Sequence, residues 1–152
     1  MKTKILKIDH VFLEVDASSK KRVFERIGLL VEDTLKLPRS QIFDALLLRE
    51  RLGSTGLGNG FALPHGKISG ISNTEGFYLR LKSAVPFEAY DKQPVHSIFC
   101  LLVPETINQQ EHLDNLKWIT TVLSSRQKRT AIESSTSPEK IVEIFSSDRN
   151  YV

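Results

Sequence analysis

The fold is decided by one apolar run, VHSIFCLLV, which spans residues 95–103. A strand that is covered on both faces has a continuous apolar sequence, whereas a strand with one solvent face alternates in polarity. The run therefore predicts a central strand of a sheet. It contains the chain's single cysteine, Cys100, which we expect to be a small buried side chain.

Two further strands are predicted upstream of this run. Residues 76–82 alternate in polarity, with Phe77, Leu79 and Leu81 on one face and Tyr78, Arg80 and Lys82 on the other. A short strand is predicted in FALP, residues 61–64, with His65 at its end.

Helices are predicted before and after these strands. They are expected after a cap at Ser18 or Ser19 up to a break at Leu37-Pro38, from Ser40 to Arg51, from Gln109 to Ser124, from about Arg126 to Ser134, and after the cap Ser137 with Pro138 at the first helical position. The predicted inner faces are Val23, Phe24, Ile27 and Val31, then Ile42, Phe43, Leu46 and Leu47, then Leu113, Leu116, Thr120 and Leu123. Helices that alternate with a few strands predict an α/β fold with a mixed sheet.

Length and composition favour an ordinary domain. The 152 residues fit one unit, 1–152, and the net charge of +3 is mild. The one basic triplet, Lys20 to Arg22, is typical of a solvated helix face, so no nucleic-acid partner is expected. No apolar run approaches the roughly 20 residues of a membrane span. We therefore expect a cytoplasmic protein without membrane insertion, which the single cysteine also favours.

The segment GSTGLGNG, residues 53–60, is rich in glycine. It does not match the dinucleotide fingerprint, because position 61 is phenylalanine and a helix precedes it. The P-loop pattern also fails, because His65 stands where the second glycine would be. The segment is either a tight turn between a helix and a strand or a concavity of backbone N–H groups that holds phosphate. Gly58, Asn59 and Gly60 are the candidate phosphate-binding residues.

His65 is the candidate nucleophile. Pro64 fixes its own φ and keeps Leu63 extended, so the imidazole projects from a stiff segment. Neutral imidazole can attack phosphorus and form a phosphoramidate. The alternative is that His65 is structural or merely exposed.

Two other side chains could complete such a site. Arg49, in the last turn of the second helix, could bind phosphate oxygens with its guanidinium, although Arg51 is a rival and a surface arginine is the alternative. His112 lies in the first turn of the helix after the apolar strand, where α/β folds collect ligands, and could donate a hydrogen bond. An exposed helix histidine is the alternative for His112. His10 and His96 have no such neighbours, and His96 is interpreted as structural.

Three stretches carry a resemblance to a known family. They are LLRERLGSTGLGNGFALPHGKI at 47–68, VPFEAYDKQPVHSIFCLLVP at 85–104 and EHLDNL at 111–116. They closely resemble the IIA domains of the bacterial phosphoenolpyruvate-dependent phosphotransferase system, of the fructose/mannitol type and nearest to the nitrogen-regulatory subgroup. The similarity runs from about Ser18 to Phe145. It implies a three-layer α/β/α sandwich with a central mixed sheet of about five strands flanked by helices.

The resemblance also implies a site. His65 would accept a phosphoryl group, on Nε2, from the phosphohistidine of an HPr-type carrier, with Arg49 and His112 beside it. No metal or other cofactor is implied. Phe61 departs from the smaller aliphatic residue expected there. Phe61, Leu57 and Leu63 are either apolar contacts for the partner or core residues.

Three functions are open at this point. The first is a regulatory switch, whose phosphorylated and free forms bind target proteins differently; the nearness to the nitrogen subgroup favours it. The second is a sugar-transport component that passes the phosphoryl group to a IIB domain. The third is a metal-binding or hydrolytic site built from His65, His112 and Cys100, which requires those side chains to converge.

Overall fold

A six-stranded mixed sheet lies at the centre of the computed structural model, which describes residues 4–147. The strands are β1 (Leu6–Val15), β2 (Gly56–Gly58), β3 (Phe61–Ala62), β4 (His65–Ile68), β5 (Glu75–Val85) and β6 (Val95–Pro104). Their order is β1-β5-β6-β3-β2, and β4 continues along the edge of β6 that β3 occupies. β1 is parallel to β5, β5 is antiparallel to β6, and both β3 and β4 are parallel to β6.

Helices cover both faces of the sheet. They are α1 (Lys20–Leu35), α2 (Arg39–Glu50), α3 (Gln109–Ser124), α4 (Arg126–Ser134) and α5 (Pro138–Ser146). The core between the sheet and α1 and α2 includes Phe77 and Leu79, whereas Tyr78 joins the core beneath α3 to α5. The alternation of β5 thus separates two cores, and the predicted three-layer α/β/α sandwich is confirmed.

β6 has the central position that its apolar sequence predicts. Ile98, Cys100 and Leu102 face the α1/α2 layer, whereas Phe99 and Leu101 face the other layer. All five side chains are buried. Burial raises the pKa of the Cys100 thiol, so the thiol is a packing group with little thiolate character.

Local capping signals set several helix ends. The Ser19 side chain accepts a hydrogen bond from the Arg22 amide and begins α1, and Ser137 does the same for the Lys140 amide at α5. α1 ends at Lys36, which has a left-handed φ of 60°. These caps were readable from the sequence.

Three predictions about elements need correction. β1 is absent from the predicted elements, because Lys7, Asp9 and His10 interrupt the apolar pattern of this edge strand. The predicted FALP strand has only two residues, and His65 begins β4 instead of ending β3, because Pro64 has no N–H to give to a ladder. Part of the expected glycine turn forms β2.

The predicted inner face of α3 is also wrong in part. Leu113 is 49% exposed and Thr120 is exposed. The buried residues are Asn115, Trp118, Ile119, Val122 and Leu123. The large Trp118 side chain sets the buried stripe, and its first member is the polar Asn115, which an apolar pattern does not detect.

Candidate active site

His65 lies directly after the Leu63-Pro64 break and is half-buried. Its Nδ1 is 2.9 Å from the carbonyl oxygen of Leu63. A carbonyl oxygen can only accept a hydrogen bond, so Nδ1 carries the ring proton and Nε2 keeps its lone pair. The backbone two residues earlier therefore fixes the tautomer that leaves Nε2 as the nucleophilic atom.

Arg49 contacts that nucleophilic atom. Its Nε donates to His65 Nε2 at 3.2 Å, and its Nη1 donates to the Gly53 carbonyl oxygen at 2.8 Å. Arg51, the rival candidate, lies at the C-cap of α2 and is exposed. The structure thus brings Arg49 to the imidazole and holds the far end of the guanidinium on the turn after α2.

The environment of His65 keeps the ring neutral. Burial is the largest cause that lowers the pKa of His65 below its ordinary value. The Leu63 carbonyl opposes this shift, the Arg49 charge adds to it, and the Glu50 charge opposes it. Since the net direction is downward, the His65 ring is unprotonated on Nε2 at neutral pH, and Nε2 keeps the lone pair that accepts from Arg49.

His112 faces His65 from the first turn of α3. The two ring centroids are 5.5 Å apart and the planes are tilted by 58°. Burial, and then the charges of His65 and Lys67, lower the pKa of His112. Its Nδ1 is buried and has no hydrogen-bond partner among residues 4–147. A second neutral imidazole with an unused ring nitrogen thus lies beside the nucleophile.

The glycine segment does not lie beside the imidazole. Gly58 to Phe61 form the tip of the β2–β3 hairpin, where Asn59 and Gly60 both have positive φ. Phe61 pairs with Ser97 and His65 with Leu101, so four residues, or about 13 Å, separate the tip from His65 along β6.

The amide at this tip is also engaged already. The Asn59 N–H donates to the Asp91 carboxylate at 2.8 Å. The geometry therefore favours the tight-turn reading of this segment, with its tip at a hairpin, over the reading that Gly58, Asn59 and Gly60 bind the phosphate of a His65 site.

The apolar residues near the hairpin are mostly core. Phe61 is 1% and Leu63 is 3% exposed, and both pack beneath α3 to α5. Leu57 is half-buried against the same core. Of the two readings left open by the sequence, the core reading holds for Phe61 and Leu63, so the unexpected phenylalanine does not present its ring to a partner.

The metal reading finds no geometry to support it. Cys100 is fully buried and faces the α1/α2 layer. Within the described range 4–147, no three His, Cys, Asp or Glu side chains are grouped so that they could hold a metal ion.

In the same range, no helix is both long and apolar enough to span a bilayer.

Sequence reasoning missed a carboxylate next to the site. Glu50 is 8% exposed and accepts hydrogen bonds from Thr55 and Lys20. The available signal was its position beside Arg49 at the end of α2. Its partner Lys20 lies thirty residues away, and no local pattern connects the two.

The chain is similar to known proteins in sequence and in fold. The family model described as the phosphoenolpyruvate-dependent sugar phosphotransferase system, EIIA 2, matches residues 4–148. A nitrogen regulatory protein of Pseudomonas aeruginosa is 40% identical over 133 residues, which are 87% of this chain and 86% of that protein.

Solved structures show the same relationship. The crystal structure of the nitrogen regulatory protein IIA-Ntr from Neisseria meningitidis has a TM-score of 0.87 and 40% identity, and covers 93% of this chain and 96% of its own. Enzyme IIAMTL of Escherichia coli, solved in complex with phosphorylated enzyme IIBMTL, shares the fold with a TM-score of 0.76 at 18% identity, over 93% of this chain and 97% of its own. The chain belongs to the EIIA 2 family of the phosphoenolpyruvate-dependent sugar phosphotransferase system.

Proposed function

We propose that this chain, as one IIA domain over residues 1–152, carries a phosphoryl group on Nε2 of His65 and acts mainly as a nitrogen-regulatory switch. The observation that carries the proposal is the fixed tautomer of His65, with Nδ1–H on the Leu63 carbonyl and the Nε2 lone pair facing Arg49. Family membership supplies the type of chemistry. The HPr-type donor and the cytoplasmic location are parts of this proposal.

The chemical step is a transfer between two nitrogens. The Nε2 lone pair attacks the phosphorus of the donor's phosphohistidine, and the donor ring, which is protonated on its other nitrogen, leaves as a neutral imidazole with the electron pair of the broken P–N bond. The His65 ring gains positive charge as its new N–P bond forms, and the Leu63 carbonyl at 2.9 Å from Nδ1 stabilises that charge. Positioning and electrostatics supply most of the catalysis in such loose transition states.

Arg49 must change its contact during this step. In the free protein its Nε–H occupies the lone pair that attacks phosphorus. The incoming phosphoryl oxygens are better acceptors, because a guanidinium binds anionic oxygens in a charge-assisted fork. Arg49 then leaves Nε2 for the phosphoryl group, while its Nη1 remains on the Gly53 carbonyl.

His112 is the second group that we assign to the phosphoryl oxygens. A ring centroid 5.5 Å from that of His65 places a donor nitrogen within reach of a group attached to Nε2. A neutral imidazole has one N–H, and rotation or protonation would direct it to the transferred group.

The regulatory reading is supported by relatives such as the nitrogen regulatory protein of Pseudomonas aeruginosa. A phosphoryl group adds close to two negative charges to the half-buried site, and so changes which target surface fits it. The alternative is a sugar-transport IIA component that passes the group to a IIB domain of a fructose/mannitol permease. The likeness in fold to a IIA protein solved with its IIB partner is the observation that keeps this alternative open.

The site is tested by replacing His65 with alanine. Wild type, His65→Ala and the matched control His96→Gln are incubated with phosphoenolpyruvate, enzyme I and an HPr-type carrier. We expect an acid-labile, base-stable phosphoryl group on wild type and on the control, and none on His65→Ala. Labelling of His65→Ala at the wild-type level would exclude this site.

A second measurement separates the switch from the transport component. The phosphorylated protein is mixed with a purified IIB domain of the fructose type, and the label on each partner is followed. A regulatory protein should retain its label at equimolar IIB, whereas rapid and complete transfer would establish the transport alternative.

A further inference from the structure

The buried carboxylate of Glu50 has no role in the chemistry described so far. It ends α2, and its side chain is 5% exposed. Oε1 accepts from the Thr55 hydroxyl at 2.6 Å, and Oε2 accepts from the Thr55 amide at 3.0 Å and from Lys20 Nζ at 3.1 Å. A buried charge without partners would be costly, and here every contact is a charge-assisted hydrogen bond.

These bonds close the turn between α2 and β2. The Glu50 side chain holds the Thr55 end, while the Glu50 carbonyl accepts from the Gly53 amide at 3.1 Å in the middle. The carbonyl of the same Gly53 accepts from Arg49 Nη1. We call the hydrogen bonds of Glu50 with Thr55 and Gly53 the clamp. The position of the Gly53 carbonyl, and with it the position of the Arg49 guanidinium, depends on this clamp.

Lys20 gives the clamp its charge balance. Its ammonium lies between Glu50 and Glu88, 3.1 Å from each, and 5.0 Å from the centre of the Phe87 ring. The negative charge of the Glu50 carboxylate is therefore balanced by Lys20, and both carboxylate oxygens already accept hydrogen bonds. We assign it no part in removing a proton from His65.

We propose that Glu50 is a positioning residue for phosphoryl transfer, which holds the turn at residues 51–55 so that Gly53 keeps the Arg49 guanidinium against His65. Glu50 does not touch the transferred group. It acts through Arg49, and Lys20 and Thr55 hold it in place. The kinetic part of this inference rests on the proposed function.

The kinetic test is a double-mutant cycle. Transfer rates from the HPr-type carrier are measured for wild type, Glu50→Gln, Arg49→Ala and the double variant. Glu50→Gln should slow transfer about tenfold through misplacement of the guanidinium. The factor by which Arg49→Ala slows transfer should then be about fivefold smaller in the Glu50→Gln background, as for residues in one hydrogen-bond network. Equal factors in both backgrounds would overturn the proposal.

Glu32→Gln is the matched control. Glu32 is also ion-paired, and its carboxylate binds the Arg39 guanidinium and amide at the opposite end of α2. The same charge is thus removed from the same helix pair, far from Gly53. Glu32→Gln should leave the transfer rate and the Arg49 effect unchanged; a cycle like that of Glu50→Gln would show a general helix effect and refute the positioning role.

A second readout needs no phosphoryl transfer. In nitrogen-edited NMR spectra, the Arg49 Nε–H that donates to His65 should exchange slowly with water in wild type and Glu32→Gln, and rapidly in Glu50→Gln. Thr55→Val, which removes one hydrogen bond and keeps the charge, serves if Glu50→Gln does not fold, and should give intermediate exchange. Slow exchange in every variant would refute the inference, whereas loss of the proposed function alone would leave this result intact.

Discussion

His65 and His96 are two half-buried histidines beside the same sheet, and they differ in what holds their ring nitrogens. Burial is the largest cause that lowers the pKa of both rings. His96 has Nδ1 at 2.8 Å from the Ser97 hydroxyl and Nε2 at 3.5 Å from the Glu133 carboxylate, and its ring meets Phe61 edge-on. In His65, Nδ1 donates to the backbone carbonyl oxygen of Leu63, and Nε2 accepts from the Arg49 side chain.

The comparison shows that a lowered pKa does not identify a reactive histidine by itself. Both rings are neutral near pH 7, but the groups around His96 belong to the packed fold, and the Gly60 backbone lies against its ring. At His65 the group on Nε2 is a cation that an anion can attract away. Under the proposed function, His65 therefore differs from His96 in having a displaceable contact on the lone pair of Nε2.

Removal of that contact should give the largest effect. Arg49→Ala is expected to slow phosphoryl transfer to His65 about 10²- to 10³-fold, because the phosphoryl oxygens lose a charged donor. Rapid-quench kinetics measure the rate, and circular dichroism tests the fold. Arg51→Ala is the control, because Arg51 lies one position beyond α2 and is exposed, and this variant should transfer at the normal rate. A normal rate for Arg49→Ala would show that the Arg49 contact does not distinguish His65 from the structural His96.

His112 should have the next largest effect. His112→Ala is expected to slow transfer about tenfold, because it removes one hydrogen-bond donor or acceptor beside the phosphoryl group. The neighbouring Leu113→Ala changes an exposed side chain of the same turn and should leave the rate within about twofold. Identical rates for the two variants would remove His112 from the site.

Acidification should lower the transfer rate through His65 and should lower the stability of the fold through His65, His96 and His112. The transfer rate should be level across neutral pH and fall only below the ordinary histidine value of 6.5, because the pKa of His65 is lowered and protonation blocks Nε2. His65, His96 and His112 all bind protons less well when folded. The stability from their neutral state is complete above 6.5 and is lost as the pH falls toward their folded pKa values.

His96→Gln separates the two effects. It should flatten the fall in Tm between about pH 7 and pH 5.5, and leave the pH profile of transfer unchanged. A shifted rate profile in His96→Gln would mean that the two sites are coupled.

The smallest effect on transfer is expected at the hairpin tip. Gly60 has φ of 84°, and a Cβ there would lie 2.3 Å from His96 Nε2. Gly60→Ala should therefore cost about 1–3 kcal/mol of stability and change the transfer rate by less than about twofold. Gly70→Ala, with a nearly equal φ of 90° and only the flexible end of the Leu37 side chain within 4 Å, is the stability control and should unfold at a higher temperature than Gly60→Ala. Chemical denaturation measures both, and equal losses would show no steric role for His96.

Elements that are decided by local pattern could be predicted from the sequence. β6 follows from its continuous apolar run, β5 from its alternation, and the starts of α1 and α5 from Ser19 and Ser137. In each case the residues that determine the element lie within it. The resemblance carried by residues 47–68, 85–104 and 111–116 extended these predictions to the layer order.

Elements that are decided by distant contacts could not be predicted in this way. β1 depends on pairing with β5, some seventy residues later, as its register Leu6 to Gly76 indicates. The buried face of α3 depends on the partners of Trp118, whose indole N–H donates to the Phe145 carbonyl of α5. An apolar stripe counted within α3 does not contain that information.

The residues of the candidate site also separate into those that short motifs indicate and those that depend on distant contacts. Its three main residues, His65, Arg49 and His112, could be named from short motifs, and the structure places them together; their roles remain predictions. The clamp of Glu50 depends on Lys20 at the start of another helix, so its buried state was not readable. The position of Gly58, Asn59 and Gly60 relative to His65 could not be read from the sequence, because a tight turn and an anion site use the same residue types.

The bond from His65 Nδ1 to Leu63 spans only two residues. The tautomer that leaves Nε2 as the acceptor is thus favoured by a contact inside a tripeptide, and the Arg49 Nε–H that donates to Nε2 favours the same tautomer. Under the proposed function, the surrounding surfaces that contact donors or recipients could change in sequence without altering the nucleophilic nitrogen, because its tautomer is favoured within one short segment.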